Sequence, residues 1–357
     1  MSVHHALIPI SALLVLGGAG TIAQVLPSAA VWVLGLMLML AVLSAVHHAE
    51  VVAHRTGEPL GTLVLALAVT VIEVALILSF MLVGDASKSS LARDTLFAAI
   101  MIICNGVVGL CLLVGGWHHS EQVFRVQGVG PALAALLALS TLSLVLPTFT
   151  TSSAEGTYTA SQLLFVAISS LALWCAFTFF QTVRHRDYFL PEDASENAKA
   201  HAAPPSGLQA LGSLLALLAC LVSVVGLAKQ LSPQIESAVR AWGAPQTLVG
   251  IVIALLVLMP ETLAALRAAR ANRLQTSLNL ALGSALASIG LTIPVVAIAA
   301  VVWNLPLTLG LDSKDLVLLA LTFMVGSITL AHGRTSMMQG AVHLVIFAAF
   351  LFLALVP

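Results

Sequence analysis

The chain of 357 residues is 60% hydrophobic and only 8% charged, a composition far outside that of water-soluble domains. Its 14 Lys and Arg are balanced by 15 Asp and Glu, which excludes a basic surface for nucleic acid. Apolar runs of about 20 residues recur along the whole length, and each can cross a hydrocarbon core of roughly 30 Å. These features predict an all-α polytopic membrane protein embedded in a lipid bilayer.

Polar breaks divide the chain into a series of predicted transmembrane helices. The first run, residues 6–26, has no Lys or Arg before it, which favours a retained helix over a cleaved signal peptide. The eleven predicted spans lie near 6–26, 29–48, 60–83, 93–116, 129–147, 158–182, 207–230, 246–267, 274–303, 314–331 and 336–356. An odd number of crossings places the two termini on opposite sides of the membrane.

The distribution of basic residues predicts the orientation of these spans. With a cytoplasmic N-terminus, the inside loops hold nine Lys and Arg and the outside loops hold five. The inside residues are Arg55, Arg125, Arg184, Arg186, Lys199, Arg267, Arg270, Arg273 and Arg334. The outside residues are Lys88, Arg93, Lys229, Arg240 and Lys314. Because basic loops are retained preferentially on the cytoplasmic side, we expect a cytoplasmic N-terminus and an outside C-terminus.

The longest polar stretch, RHRDYFLPEDASENAKAHAAPPSG, begins at Arg184, and residues 184–206 are predicted to form a cytoplasmic acidic linker. Its acids are too dispersed for an EF-hand loop. Two interpretations stay open, a solvated linker and a regulatory segment that senses cations.

Five predicted spans precede this linker, once the first helix is set aside, and five follow it. The sequence therefore divides into an N-terminal helix (1–28), a first five-helix repeat (29–183), the linker (184–206) and a second five-helix repeat (207–357). Because five is odd, the two repeats must insert with opposite orientations. This is the inverted-repeat architecture of many secondary transporters, whose coupling ions bind near the bilayer midplane at the repeat interface.

A single glutamate lies in the second span of each repeat, Glu73 in LALAVTVIEVALILSF and Glu261 in LLVLMPETLAAL. No other Asp or Glu lies so deep within a predicted span. A membrane-buried acid costs at least about 2.5–3.5 kcal/mol, so two acids at matching repeat positions indicate a functional pair rather than packing alone. Pro260, directly before Glu261, is predicted to bend the eighth span and to free a backbone carbonyl one turn earlier.

The predicted pair of carboxylates suggests a transport mechanism. Two ionised acids that face each other in a medium of low dielectric repel, and each is desolvated. One Ca²⁺, two protons, or a monovalent cation with a proton would neutralise the pair. Since the empty site is the costly state, alternation between loaded states predicts obligatory exchange. Neutral oxygens could come from Thr70, Asn105, Ser284 and Ser288, although each of these side chains could equally form an intrahelical hydrogen bond.

Long stretches of the chain also carry a pattern that is not explained by hydropathy. They are GEPLGTLVLALAVTVIEVALIL, LARDTLFAAIMIICNGVVGLCLLVGGW, LMPETLAALRAARANRLQTSLNLALGSALAS and HGRTSMMQG. From about residue 50 to the end, the chain resembles the cation/proton exchanger family, the CAX-type branch of the CaCA superfamily. This resemblance implies an eleven-helix inverted-repeat fold in which one acid per repeat binds the cation and protons alternately.

The resemblance also assigns individual residues to the family's site. Glu73 and Glu261 match its two acids, and Asn105 matches the asparagine that closes the third-helix motif of the first repeat. Ser284, with Gly283, matches the Gly-Ser pair of the second repeat.

The chain departs from the family pattern at three positions. Typical calcium exchangers carry Asn three residues before each acid, where this chain has Thr70 and Leu258. Ala287 replaces a glutamine that the family has four residues beyond the glycine of the Gly-Ser pair. Since Ca²⁺ prefers six to eight oxygens, a thinner shell predicts weak calcium selectivity and tolerance of Na⁺ or K⁺.

Together, the residues and the resemblance predict a secondary active antiporter of the bacterial inner membrane. It would export Ca²⁺, and also Na⁺ or K⁺, in exchange for H⁺. A passive cation channel is the alternative, although a channel normally arranges its acids in a ring around an axis. The chain has no HExxH, GxSxG or CxxC motif, so we expect neither enzymatic activity nor a cofactor. A homo-oligomer is compatible with the sequence.

The second span ends in AVHHAEVVAHR, where His47, Glu50 and His54 share one helix face near the cytoplasmic surface. These residues form either a wetted helix end or a pH sensor, because histidine titrates near cytoplasmic pH.

The fourth span contains a row of small residues that favours close helix packing over a pore lining. The row consists of Gly106, Gly109, Gly115 and Gly116.

Overall fold

The computed structural model describes residues 3–25, 27–56, 60–83, 89–189, 205–241, 243, 245 and 247–356. Almost all of them lie in helices. In the first part of the chain these are α1 (Val3–Val25), α2 (Pro27–Thr56), α3 (Leu60–Val83), α4 (Leu91–His119), α5 (Val126–Phe149) and α6 (Ala160–Arg184). The remaining helices are α7 (Gly207–Ala241), α8 (Thr247–Arg270), α9 (Leu274–Trp303), α10 (Ser313–Leu330) and α11 (Met337–Leu355).

Eight of these helices are long and apolar enough to cross a membrane, or nine if the bent helix α8 is one span, within the described residues. Helices α1 and α3 contain the apolar stretches Leu7–Ile22 and Thr70–Ser79 within the residues whose side chains are described. The prediction of a mostly helical, multi-span membrane protein is therefore confirmed. The count of eleven crossings is not confirmed and stays a prediction.

The helices form two compact units, each built from both sides of the polar segment 184–206. Unit 1 comprises Met1–Asp85 and His201–Val249, and unit 2 comprises Ala86–Ala200 and Gly250–Pro357. A compact unit is defined by packing and a repeat by symmetry, so this division does not test the predicted repeats 29–183 and 207–357.

Unit 1 is built around α2, which α1, α3 and α7 contact. Ala41, Ala45 and Ala49 recur one turn apart on α2 and are completely buried. Small side chains at this spacing let neighbouring helices approach closely, because no bulky group separates the backbones.

Unit 2 has α4 and α9 at its centre, and these two helices are largely buried along their lengths. Helix α9 packs against α5 and α6, and α11 packs along α4. Helix α4 is interrupted by a π-helical turn at Ile102–Val107, and α5 by another at Thr141–Val145. Single π turns inside α-helices often occur at functional sites, because they displace side chains from the regular α-helical row.

The carbonyl groups near the π turn of α5 are used by other parts of unit 2. The hydroxyl of Tyr158 donates to the Leu142 carbonyl at 2.7 Å, and the Leu311 amide donates to the Leu144 carbonyl at 3.0 Å. These bonds satisfy backbone acceptors that would otherwise be buried without a partner.

A short antiparallel ribbon pairs β1 (Glu121–Val123) with β2 (Arg334–Ser336). Helix α11 starts directly after β2 with a capping box, in which the side chains of Ser336 and Gln339 hold the first turn. Strands of three residues are too short to show an alternating pattern, so hydropathy did not predict them.

Candidate functional site

Glu73 lies in the middle of α3 in unit 1 and is only 2% exposed. Thr70, one turn earlier on the same face, is 5% exposed. Helix α3 contains no proline, so the buried carboxylate lies on a helix whose backbone amides are all available for the helical ladder. Unit 1 therefore offers the side chains of Glu73 and Thr70 as oxygens on one buried helix face.

Glu261 lies on α8 in unit 2 and is half-buried. Helix α8 is bent by 48° between Thr247–Leu255 and Val257–Arg270. Residue 256 at this break is four residues before Pro260, and its carbonyl is the one that the proline ring leaves without a helical donor. The predicted bend is confirmed. Leu258, at the position where the family pattern has Asn, is 2% exposed.

Two further acids are buried in unit 2, both in the first turn of a helix. Asp94 is 7% exposed and accepts hydrogen bonds from Arg93 at 2.8 Å and from Ser90 at 3.1 Å. Asp315 is 9% exposed at the start of α10. Both lie at the edge of a span, so the prediction of Glu73 and Glu261 as the acids placed deep in predicted spans is not affected.

Asn105 lies on the π turn of α4, is completely buried, and belongs to a polar network within unit 2. Its amide Nδ2 donates to Thr322 Oγ1 at 2.8 Å, and its Oδ1 is 3.1 Å from Nδ1 of His343. The other ring nitrogen of His343, Nε2, is 3.1 Å from Thr329 Oγ1. Asn105 was predicted from the sequence, whereas the other three members of the network, on α10 and α11, were not.

The glycines of α4 explain how this network is brought together. A Cβ atom at Gly109 would lie 3.0 Å from His343 Cβ, and one at Gly106 would lie 3.4 Å from the Phe347 ring. Gly116 faces the backbone of Met337, and Gly115 faces the side chain of Gln122. The prediction that these glycines permit close helix packing is confirmed.

Helix α9 carries the predicted serines on one face. Ser284 is half-buried, and Ser288, one turn later, is 2% exposed. Thr292 continues the same row, is completely buried, and its Oγ1 has no hydrogen-bond partner among the described residues. Thr292 is thus a further neutral oxygen that the motif comparison did not include.

The predicted pH-sensing residues lie at the end of α2 in unit 1. His47 is half-buried, whereas Glu50 and His54 are exposed. The neighbouring His48 is completely buried, and its ring is 5.5 Å from that of His47. A buried histidine beside the exposed group was not singled out from the sequence.

The predicted acidic linker is described only at its two ends, and its acids at 192–196 lie outside the described residues. Its first part, Arg186–Phe189, is a short 3₁₀ helix fixed to unit 2. The Arg125 guanidinium donates to the Asp187 carbonyl at 2.6 Å, and the Asn279 amide donates to the Phe189 carbonyl at 2.7 Å. Buried Phe189 also packs edge-on against Phe177.

No cluster of three or more His, Cys, Asp or Glu that could hold a metal ion occurs in the part of the chain that the structure describes. The four cysteines are free thiols, and three of them are buried, which agrees with packing residues.

Comparison with known proteins identifies the family. The family described as sodium/calcium exchanger protein matches residues 27–183 and 212–356, which is most of the chain. The chain belongs to the sodium/calcium exchanger family. The two matched segments contain Glu73 and Glu261 and leave out the whole of the predicted linker.

Curated relatives of the exchanger cover nearly its whole length. The sodium-potassium/proton antiporter ChaA of Escherichia coli is 36% identical over 96% of this chain and 93% of its own. A Sinorhizobium fredii protein, y4hA, is named as an ionic transporter. It is 50% identical over 95% of this chain and 93% of its own. The Ca²⁺/H⁺ antiporter of Aphanothece halophytica is 25% identical over 86% of each chain.

Solved structures show the same fold as the exchanger. The structure of native YfkE has a TM-score of 0.75 at 16% identity and covers 99% of this chain and 100% of its own. The structure of the H⁺/Ca²⁺ exchanger CAX has a TM-score of 0.70 at 14% identity and covers 96% of this chain and 88% of its own.

These matches decide between the function classes left open by the sequence. The relatives are transporters and antiporters, and no enzyme family is indicated. A passive channel is not favoured. The exchanger is a multi-pass protein of the bacterial inner membrane.

Proposed function

We propose that the protein is a secondary active antiporter that exports Ca²⁺, and also Na⁺ or K⁺, in exchange for H⁺. Transport would occur by alternating access at a site formed by Glu73 and Glu261. The observation that carries this proposal is the placement of these acids. Each unit of this exchanger has one glutamate deep within a predicted span, buried in α3 and half-buried in α8. A carboxylate in hydrocarbon is costly, so its presence requires a compensating role.

The charge of the two carboxylates accounts for obligatory exchange. When they face each other without a cation or proton, their repulsion and desolvation make the empty site unfavourable. A divalent cation or two protons restore neutrality, and a monovalent cation with one proton does the same. Each reorientation would therefore occur only in a loaded state, which couples cation movement to proton movement.

The composition of the remaining ligand shell supports mixed cation specificity. We propose Thr70, Asn105, Ser284 and Ser288 as neutral ligands, together with the backbone carbonyl that Pro260 frees in α8. Leu258 adds no oxygen at the position where the family pattern has an amide. Ca²⁺ would then retain water in its shell, which lowers its advantage over Na⁺ and K⁺. The cations and protons are cargo, and we propose no cofactor.

We also propose the finer architecture that the sequence predicts. It consists of an N-terminal helix (1–28) and two inverted five-helix repeats (29–183 and 207–357), joined by a cytoplasmic linker (184–206). The arrangement gives eleven crossings and a cytoplasmic N-terminus. It is supported by the excess of basic residues in the loops assigned to the inside.

The experiment that tests the function uses everted vesicles that hold a pre-formed proton gradient. Addition of Ca²⁺, Na⁺ or K⁺ should dissipate the gradient, whereas Glu73→Gln and Glu261→Gln variants should show no cation-driven proton movement. Glu155→Gln changes an exposed glutamate between α5 and α6 and serves as the matched control. Near-normal exchange in either buried-acid variant would refute the paired-carboxylate mechanism, and cation flux without proton movement would favour a channel.

A further inference from the structure

The polar network around Asn105 contains four buried side chains from three helices of unit 2. Asn105 is completely buried, and Thr322, Thr329 and His343 are 1%, 4% and 1% exposed. Each pair in the network meets at 2.8–3.1 Å, which is ordinary hydrogen-bond distance. Buried polar groups in a membrane span are normally retained for a function, because water cannot satisfy them there.

The hydrogen bonds of this network form one consistent set of directions. The Thr322 hydroxyl donates to the Leu318 carbonyl at 2.7 Å, so its oxygen is an acceptor for the Asn105 Nδ2 group. The amide oxygen of Asn105 is then the atom that faces His343 Nδ1, and that nitrogen must carry the proton. Nε2 of a neutral imidazole is consequently the acceptor of the Thr329 hydroxyl.

With Nδ1 of His343 protonated and the Thr322 hydroxyl donating to Leu318, the network fits one orientation of the Asn105 amide. If the amide turned over, its NH₂ group would face the N–H of His343, and its oxygen would face the acceptor oxygen of Thr322. Both contacts would be repulsive unless His343 changed its tautomer and the Thr322 hydroxyl gave up its hydrogen bond to Leu318. His343 and Thr322 thus hold the amide from its two ends.

Helix packing holds His343 itself in place. Gly109 of α4 allows the Cβ of His343 and the backbone of Leu344 to approach, since a Cβ there would be 3.0 Å and 3.1 Å from them. On α11, a Cβ at Gly340 would clash with the backbone of Leu113. The two glycines bring the backbones of α4 and α11 together, which places the base of the His343 side chain directly against α4.

We propose that His343 is a positioning residue for cation binding, which keeps the amide oxygen of Asn105, and not its NH₂ group, available to the transported cation. This inference rests on the proposed function, in which Asn105 is a neutral ligand. An amide oxygen has two lone pairs, so it can accept from His343 and still coordinate a cation. Partners that orient a metal ligand commonly contribute 10–100-fold to metal affinity.

The first test compares His343→Leu with His343→Gln in proteoliposomes. Leucine removes the donor to Asn105, so the cation concentration for half-maximal exchange should rise about tenfold or more, with a smaller change in maximal rate. Glutamine retains an N–H donor, so the half-maximal cation concentration of His343→Gln should stay close to that of the wild type. Thr322→Val should behave like His343→Leu, and Thr322→Ser like wild type, because serine keeps the acceptor.

A matched control separates positioning from a general packing defect. Phe350 lies two turns beyond His343 on α11, is buried, and packs edge-on against Phe97 of α4. Phe350→Leu should lower the melting temperature and leave the half-maximal cation concentration unchanged. Exposed His118, whose Nδ1 contacts the Val114 carbonyl of its own helix, provides a histidine control as His118→Gln.

The outcomes distinguish this inference from the proposed function. An unchanged half-maximal concentration in His343→Leu, or the same defect in His343→Gln, overturns the positioning role while exchange by Glu73 and Glu261 stands. If Phe350→Leu raises the half-maximal cation concentration as much as His343→Leu does, the defect is a general packing defect and the positioning role is again overturned. Exchange that survives both Glu73→Gln and Glu261→Gln overturns the proposed function, and the positioning role with it.

Discussion

The two acid-bearing helices, α3 of unit 1 and α8 of unit 2, differ in their backbones although the sequence places their glutamates at matching positions. Glu73 is 2% exposed on a helix without proline, whereas Glu261 is half-buried on a helix bent by 48°. A regular helix offers only side-chain oxygens, while a helix bent before a proline also exposes a carbonyl. In the proposed function, unit 1 would therefore provide a fixed carboxylate and unit 2 an adjustable one.

Shortening each acid by one methylene group is the strongest way to test this difference. Glu73→Asp should lower the exchange rate by about a hundredfold, because a displacement of about 1 Å in a rigid site can have such an effect. Glu261→Asp should lose only about tenfold, since the bend near Glu261 lets the backbone adjust. Rates of cation-driven proton movement in proteoliposomes measure both. Equal losses of exchange rate in the two variants would contradict the distinction between a fixed and an adjustable carboxylate.

Removal of the proline would make α8 resemble α3. Pro260→Ala should restore the hydrogen bond to the carbonyl of residue 256 and stabilise the helix, where an internal proline costs about 3 kcal/mol. We expect a higher melting temperature together with roughly tenfold weaker cation affinity, because a backbone ligand is lost. Pro131→Ala in the early part of α5 is the control, which should not change the affinity. A variant with unchanged affinity would show that the freed carbonyl is not a ligand.

Adding an amide to each helix tests how thin the ligand shell is. Leu258→Asn and Thr70→Asn introduce the residue that the family pattern has three positions before each acid. Leu258→Asn should tighten Ca²⁺ binding several-fold relative to Na⁺, since Ca²⁺ gains an oxygen ligand. Thr70→Asn exchanges a hydroxyl oxygen for an amide oxygen and should have the smaller effect. The measurement is Ca²⁺/H⁺ exchange in vesicles with rising Na⁺ or K⁺. Submicromolar Ca²⁺ binding by the wild type, unaffected by a large excess of both, would refute the thin-shell argument.

Glycine replacements compare the packing of the two units. Gly109→Ala in unit 2 would bring a methyl group against the backbone of α11, so we expect a loss of about 1–3 kcal/mol in stability. Gly226→Ala in unit 1 would meet only the flexible Leu16 side chain, and its cost should be smaller. Gly130→Ala, which meets nothing within 4 Å, is the control. Melting temperatures should follow the order Gly109, Gly226, Gly130, from the largest decrease to the smallest.

The smallest effect on basal exchange is expected from the linker. Deletion of residues 192–196 should change the response to pH or Ca²⁺ and leave exchange measurable, because the segment is polar and remote in sequence from both acids. Complete loss of transport in a correctly folded deletion variant would contradict a purely regulatory role.

The His47, Glu50 and His54 group is a second candidate for pH sensing. If this group senses pH, His54→Gln should shift the pH profile of exchange.

The sequence alone determined the membrane class, the positions of the helices and the bend before Glu261, and it predicted the two acids deep within their spans. These properties depend on neighbouring residues, because hydropathy and the missing proton of a proline act over one or two helical turns. The same reasoning could have found His343, which is a lone ionisable residue in the apolar run GAVHLVIF.

Only the tertiary structure decided what these residues contact. Asn105 pairs with Thr322 and His343, which are 217 and 238 residues away in the chain, and no local pattern encodes such pairs. The assembly of each compact unit from both sides of the polar segment was likewise not predicted. Hydropathy places a residue inside the membrane, but helix packing selects its neighbours, because that selection depends on which small residues let two backbones meet.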